Sequence, residues 1–152
     1  PDLFTSVSWN QMNAACPGGA CIDGAILNGR DMTGWTWAGF GDLAVLFNSY
    51  GVDPPLPTLT NGASQQVGSV WAPAWFEGGW RHTYIETASD YLFTAGYLRE
   101  NYPSDDSLCL LGAIEDNRGS RSTLPDHAHM NIGASKVQQI SYFGMWIFRP
   151  LQ

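Results

Sequence analysis

The chain has 152 residues, enough for one domain (1–152) with a substantial core, and only 14% of them are charged, close to the aromatic share of 13%. Its formal net charge is −7 and its seven basic residues are spread singly, so no basic patch exists to neutralise phosphates. Nucleic acid is excluded as a partner, and anionic lipid and sulfated glycans are disfavoured. No stretch approaches the roughly 18 apolar residues that span a bilayer as a helix, so the chain is expected not to cross a membrane.

Taken in order, residues 3–7 predict an edge strand, and Leu3, Phe4 and Val7 in it are the expected donors to a neighbour's sheet edge. Ser8 followed three residues later by Gln11 is a capping box, with Trp9, Met12, Asn13 and Cys16 on one helical face and Pro17-Gly18 as the stop. Cys16 and Cys21 enclose Pro17-Gly18-Gly19-Ala20, a turn that can bring the thiols together. A disulfide is expected; the alternative, a metal-binding pair, has no second Cys/His pair at suitable spacing. Turn signals at Asp23-Gly24 and Asn28-Gly29 mark 20–32 as a loop.

Trp35 and Trp37 alternate with Thr36, so in extended backbone both indoles point the same way as interior aromatics. Directly after them Leu43, Leu46, Phe47 and Tyr50 fall at i, i+3, i+4 and i+7, one face of a helix begun by Gly41 or Asp42 and ended by Gly51. An extended aromatic pair feeding an apolar-faced helix predicts a core nucleus.

Pro54, Pro55 and Pro57 make 52–61 an extended surface loop. A third short helix is expected over 69–76, with Pro73 in its first turn, Trp71 and Trp75 four apart, and Gly78-Gly79 closing it. From there the period changes. Residues 82–87 and 91–98 alternate about Ala88-Ser89-Asp90, which suits a hairpin. Leu108 to Ile114 reads as a buried central strand carrying a free buried thiol at Cys109, and 141–149 as another strand dense in aromatics. The expected fold is α+β, two or three short helices packed on a mainly antiparallel sheet.

Trp9-Asn10-Gln11-Met12-Asn13-Ala14-Ala15-Cys16, Asn28-Gly29, Gly34-Trp35-Thr36-Trp37-Ala38, the helix from Asp42 to Tyr50 and the closing Gly144-Met145-Trp146-Ile147-Phe148-Arg149-Pro150 carry a resemblance. Together they resemble a bacterial exported-protein family that includes many PEP-CTERM-type surface proteins. More distantly the chain is similar to the C-type-lectin-like C-terminal domain of collagen-like bacterial adhesins. The match covers the first third of the chain and its end. The departure is a sorting tail: neither a Pro-Glu-Pro signature nor an apolar span followed by basic residues occurs in these 152 residues. The resemblance implies a lectin-like fold and a secreted or cell-surface protein, and Pro1 is expected to begin a mature exported product.

Several clusters could carry chemistry. His127-Ala128-His129 would place two imidazoles on one face of a strand, able to hold one ion with His82, Asp126 or Asp116, unless Leu124-Pro125-Asp126-His127 is a solvated turn. Glu115, Asp116 and Asn117, beside Ser104-Asp105-Asp106, could supply oxygen ligands to calcium, as could the weaker set Asp23, Asn28 and Asp31; the alternative is solvated turns. No other cofactor is implied. Trp71, Trp75 and Trp80 are the expected exposed aromatics for stacking on neutral sugar rings. The chain contains no Gly-x-Ser-x-Gly elbow, phosphate loop, His-Glu-x-x-His or dinucleotide fingerprint. The expectation is therefore a non-enzymatic secreted or surface protein acting in adhesion, a homo-oligomer or extracellular polymer. A glycan-binding module, calcium-dependent or not, is the alternative, and an enzyme using the histidines a third class.

Overall fold

The computed structural model describes residues 2–56, 63–80, 82–88 and 90–149. In chain order its elements are β1 (Asp2–Leu3), α1 (Trp9–Ala15), β2 (Ile26–Leu27), β3 (Arg30–Asp31), β4 (Thr36–Trp37), α2 (Phe40–Ser49), β5 (Ala63–Val67) and α3 (Trp71–Glu77). These are followed by β6 (Tyr84–Glu86), β7 (Tyr91–Tyr102), β8 (Asp105–Asn117), β9 (Pro125–Ser135) and β10 (Gly144–Phe148). The class is α+β, with the three helices packed on a sheet that is mostly antiparallel.

Local chemistry fixes the helices. Ser8 and Gln11 make the reciprocal capping box at the start of α1, satisfying two backbone donors that the helix cannot. Cys16 and Cys21 are joined by a disulfide, which ties the end of α1 to the loop that follows. α2 begins at Phe40, earlier than Gly41 or Asp42. Asp42 sits in the first turn and its carboxylate reaches back to accept from the Gly39 N–H at 2.8 Å. Gly51 leaves the helix with φ +81°, the left-handed conformation that glycine adopts without penalty. α3 keeps Pro73 in its first turn and ends where the Gly78 N–H bonds the Ala74 carbonyl.

The main sheet runs β1-β10-β7-β8-β9-β5, with β4 joined to β10 and β6 to β7; β2 and β3 form a separate small ribbon. The predicted hairpin is β6–β7, with Glu86 opposite Tyr91, and the apolar run at 108–114 lies inside the central strand β8. Two pairings involve partners far apart in sequence. β10 lies parallel to β7 at Gly144–Gly96 and Met145–Tyr97, and β5, in a stretch between the expected loop and the expected third helix to which the sequence assigns no element, pairs antiparallel with β9 from Ala63–His129 to Val67–Pro125. Residues 57–62, including part of the proline-rich crossing, lie outside the described residues.

Alternation along the strands builds a core on each face of the sheet. One contains Leu110, Ile114, Ala128, Met130 and Trp146 under α2 and α3; the other contains Cys109, Leu111, Ala113, Tyr97 and Ile147 under α1 and the disulfide loop. A β-bulge breaks the phase of β9: Leu111 faces Ile132 but Ala113 faces His129, so β9 carries one extra residue there. Before the bulge the even residues Ala128 and Met130 face α2 and α3. Beyond it the even residues Ile132 and Ala134 face the α1 side.

Trp37 is fully buried, edge-on to Trp9 at 5.3 Å, and its indole N–H donates to the Tyr97 carbonyl. Trp35 is only half-buried, its ring beneath the guanidinium groups of Arg149 at 4.5 Å and Arg30 at 5.7 Å. The expectation of two equal interior indoles therefore holds for one. The expected free strand over 3–7 is likewise corrected. Pairing with β10 is confined to Asp2–Leu3, continued by Phe4 exchanging backbone bonds with Met145, and Val7 is buried in the α1-side core. Phe4 is also packed against that core, so hydrophobic burial binds these residues into their own domain.

Candidate functional site

Beyond Ala113 the α1-side core gives way, at one end of the sheet, to polar and aromatic side chains that are only partly buried. Glu115 on β8 lies directly opposite His127 on β9, and His129 lies two residues further along the same face. One potential ligand atom from each of Glu115, His127 and His129 can be chosen so that all lie within 4.8 Å of one another. His127 Nδ1 is 3.4 Å from Glu115 Oε2 and His129 Nε2 is 4.0 Å from Glu115 Oε1. The imidazoles meet edge-on at 4.8 Å between centroids.

The surroundings are partly desolvated. Burial pushes Glu115 above the ordinary carboxylate range, opposed by His127, the Tyr91 hydroxyl and Arg121. Burial, reinforced by neighbouring His127, pulls His129 down to about 4, so its ring is neutral at physiological pH. Tyr91 bonds Glu115, and its phenol is held well above the usual range, by burial first and by that carboxylate second. Arg121 caps the wall, its guanidinium 4.8 Å from the Tyr91 ring centroid and paired with Glu86 at 2.5 Å. His127 Nε2 is buried and has no hydrogen-bond partner among the described residues. The set can present two imidazole lone pairs and a carboxylate to one electrophilic centre.

This arrangement divides the calcium expectation. Glu115, Asp116 and Asn117 are consecutive in β8, so Asp116 projects to the opposite face from Glu115. There it is buried and ion-paired to Arg118 Nε at 2.5 Å, with burial raising its pKa against that pairing. The Asn117 amide is committed to the Pro125 carbonyl at 2.7 Å. The three cannot converge on one cation. The other acidic sets are local turns: Asp105 accepts from the N–H and hydroxyl of Ser107, and Asp31 does the same for Thr33, bonds that hold both carboxyls below the usual range. Asp126, one of the proposed partners of the histidines, is buried; its oxygens accept from the Ser69 and Asn117 N–H groups.

The three tryptophans expected to be exposed are not. Trp71 and Trp75 are each 0% exposed beneath α3, and Trp80 is half-buried, stacked on Trp75 at 4.4 Å and donating to the Tyr50 hydroxyl. Spacing at i and i+4 put them on the apolar face of α3, and that face meets the sheet. Aromatic rings that do reach the surface are Tyr84 and Tyr142, 43% exposed each and 5.9 Å apart. Cys109 is a buried free thiol, its Sγ donating to the Ala134 carbonyl and its pKa pushed up by burial to about 12.

Sequence reasoning named His127 and His129 together but assigned Glu115 to a different ion. The missing signal was strand register, which neither spacing nor composition encodes. Among the described residues no helix is long and apolar enough to cross a membrane. Comparison with protein-family models, curated proteins and solved structures gives no match, so the geometry of this chain alone carries the functional argument.

Proposed function

We propose that the chain is a non-enzymatic structural domain of the cell surface or extracellular space that associates with further copies of itself through the edge of its sheet. The observation that carries this is strand β5. It is a sheet edge among the described residues, and its sequence Ala-Ser-Gln-Gln-Val contains no charge and no proline. Edge strands of monomers are protected by lysine, proline or bulges, and β5 has none of these. At its end Val67 is 59% exposed opposite Pro125, with Leu124 and Val70, both exposed, close by in the chain. An uncharged edge finished by aliphatic side chains suits antiparallel addition of the same edge from a second copy, with backbone bonds supplying affinity.

The Cys16–Cys21 disulfide supports an oxidising compartment. Kinship with exported surface proteins and lectin-like adhesin domains is part of this proposal, resting on the motifs at 9–16, 34–38 and 144–150. Light scattering and electron microscopy of the native protein test it. Assemblies that Val67→Lys or Gln66→Lys disperses to monomers are expected, whereas a wild-type monomer at millimolar concentration, or assemblies indifferent to both lysines, would refute β5 as the contact. A second reading, a neutral-glycan module, finds its aromatic surface in the Tyr84–Tyr142 pair; binding on a glycan array that Tyr84→Ala abolishes would favour it.

A further inference from the structure

We propose that Glu115, His127 and His129 form a binding site for one divalent transition-metal ion of the zinc class, with a coordination position left open to solvent or a ligand. The donor set selects the ion. Two imidazoles and one carboxylate suit zinc and its neighbours, whereas calcium and magnesium require a shell of oxygen ligands that this face does not gather.

Geometry is close to what such an ion needs. Ligand atoms about 2.0–2.1 Å from a tetrahedral centre stand roughly 3.4 Å apart. The Glu115–His127 separation already equals that at 3.4 Å, and the Glu115–His129 pair stands at 4.0 Å. The outer limit of 4.8 Å for the set leaves a gap that side-chain rotation about fixed backbones can close. The backbone is fixed because all three residues sit in the paired strands β8 and β9, and the bulge past His129 keeps both histidines on the face that Glu115 occupies.

One further feature supports the site. Tyr91 bonds Glu115, the kind of supporting contact that orients a ligating carboxylate. With only three protein donors, a fourth position faces outward; the Glu115, His127 and His129 side chains retain 19%, 25% and 16% exposure.

The test is calorimetry on the tag-free full chain after chelator stripping, titrated with Zn²⁺ and, separately, Ca²⁺, together with visible absorption on adding Co²⁺. One Zn²⁺ per chain is expected, with no heat from Ca²⁺ and with Co²⁺ bands typical of four or five ligands. His127→Ala and His129→Ala are each expected to weaken Zn²⁺ at least tenfold, with circular dichroism confirming the fold, while His82→Ala, altering an exposed histidine, leaves it unchanged. No Zn²⁺ binding by wild type, or binding that survives both substitutions, or loss with His82→Ala, overturns the site. Monomer-only behaviour in scattering refutes the edge proposal without touching this one, and an empty site leaves the edge proposal intact.

Discussion

The two faces of the sheet at the β8–β9 pair use the same ten or so residues to opposite ends. Even-numbered Ile114, Ala128 and Met130 sink beneath α2 and α3 against Trp71, Trp75 and Trp146, and the layer is closed and apolar. Odd-numbered Glu115, His127 and His129 turn to the face that α1 only partly covers, where carboxylate and imidazole remain half-buried. Alternation alone produces both, and the difference lies in what covers each face. Where helices seal the sheet, a buried carboxylate such as Asp126 has its partners fixed; where the cover stops, ionisable groups can be partly desolvated and still reach a ligand.

The sealed face should fail hardest when its centre is removed. Trp75 touches Phe47, Tyr50, Trp80 and Trp146 rings at 4.4–5.8 Å, so Trp75→Ala should cost about 3–5 kcal/mol in urea unfolding. Its indole N–H is buried without a partner among the described residues, so Trp75→Phe should recover most of that loss. Next comes the polar anchor of the same face. Asp126→Ala leaves the Ser69 and Asn117 N–H groups without their acceptor and should cost about 2–4 kcal/mol, with Asp126→Asn in between because one acceptor oxygen remains.

On the α1 side, the disulfide closes a short loop, a sequence separation of 5. Chain-entropy arguments give about 2 kcal/mol for so few residues, so the double variant Cys16→Ser, Cys21→Ser should stay folded with its transition shifted by that amount. A larger loss would mean that the loop after α1 organises more of this face than its covalent tie suggests.

These elements also mark where sequence was informative. The Ser8–Gln11 cap, the Cys16–Cys21 turn, the Gly51 stop and the β6–β7 hairpin depend on residues close in the chain, and each was legible. What sequence did not disclose depends on distant partners. β5 has no apolar alternation and becomes a strand because β9 presents a ladder to it; β10 joins β7 in parallel after a separation no turn signal announces. Glu115 meets His127 because of register across β8 and β9, so a candidate site was half read, its histidines recognised and its carboxylate placed with Asp116 and Asn117. Trp71 and Trp75 were legible and misread. Ala72, buried beside Trp71 and Trp75, belongs to the same inward face, a helical stripe of the kind that ordinarily meets a core.

The smallest effect belongs to the open face and distinguishes it most directly from the sealed one. In the metal-free protein His129 takes up its proton only near pH 4, whereas in the unfolded chain the same ring titrates near 6.5. Between those values the unfolded state binds more protons than the folded state, so this residue makes stability fall as pH is lowered from 6.5 to 4. Glu115 acts in the opposite sense, since its raised pKa lets the folded state hold a proton more readily than the unfolded one, a contribution lost as pH rises through its folded value. The difference between wild type and His129→Gln isolates the histidine. With part of the ring in solvent, the difference should be screened to about 1 kcal/mol, growing toward pH 4 and vanishing above 6.5. NMR should place the His129 midpoint near 4. A midpoint near 6.5 would mean that solvent reaches the ring freely, and that this end of the sheet is open rather than half-closed.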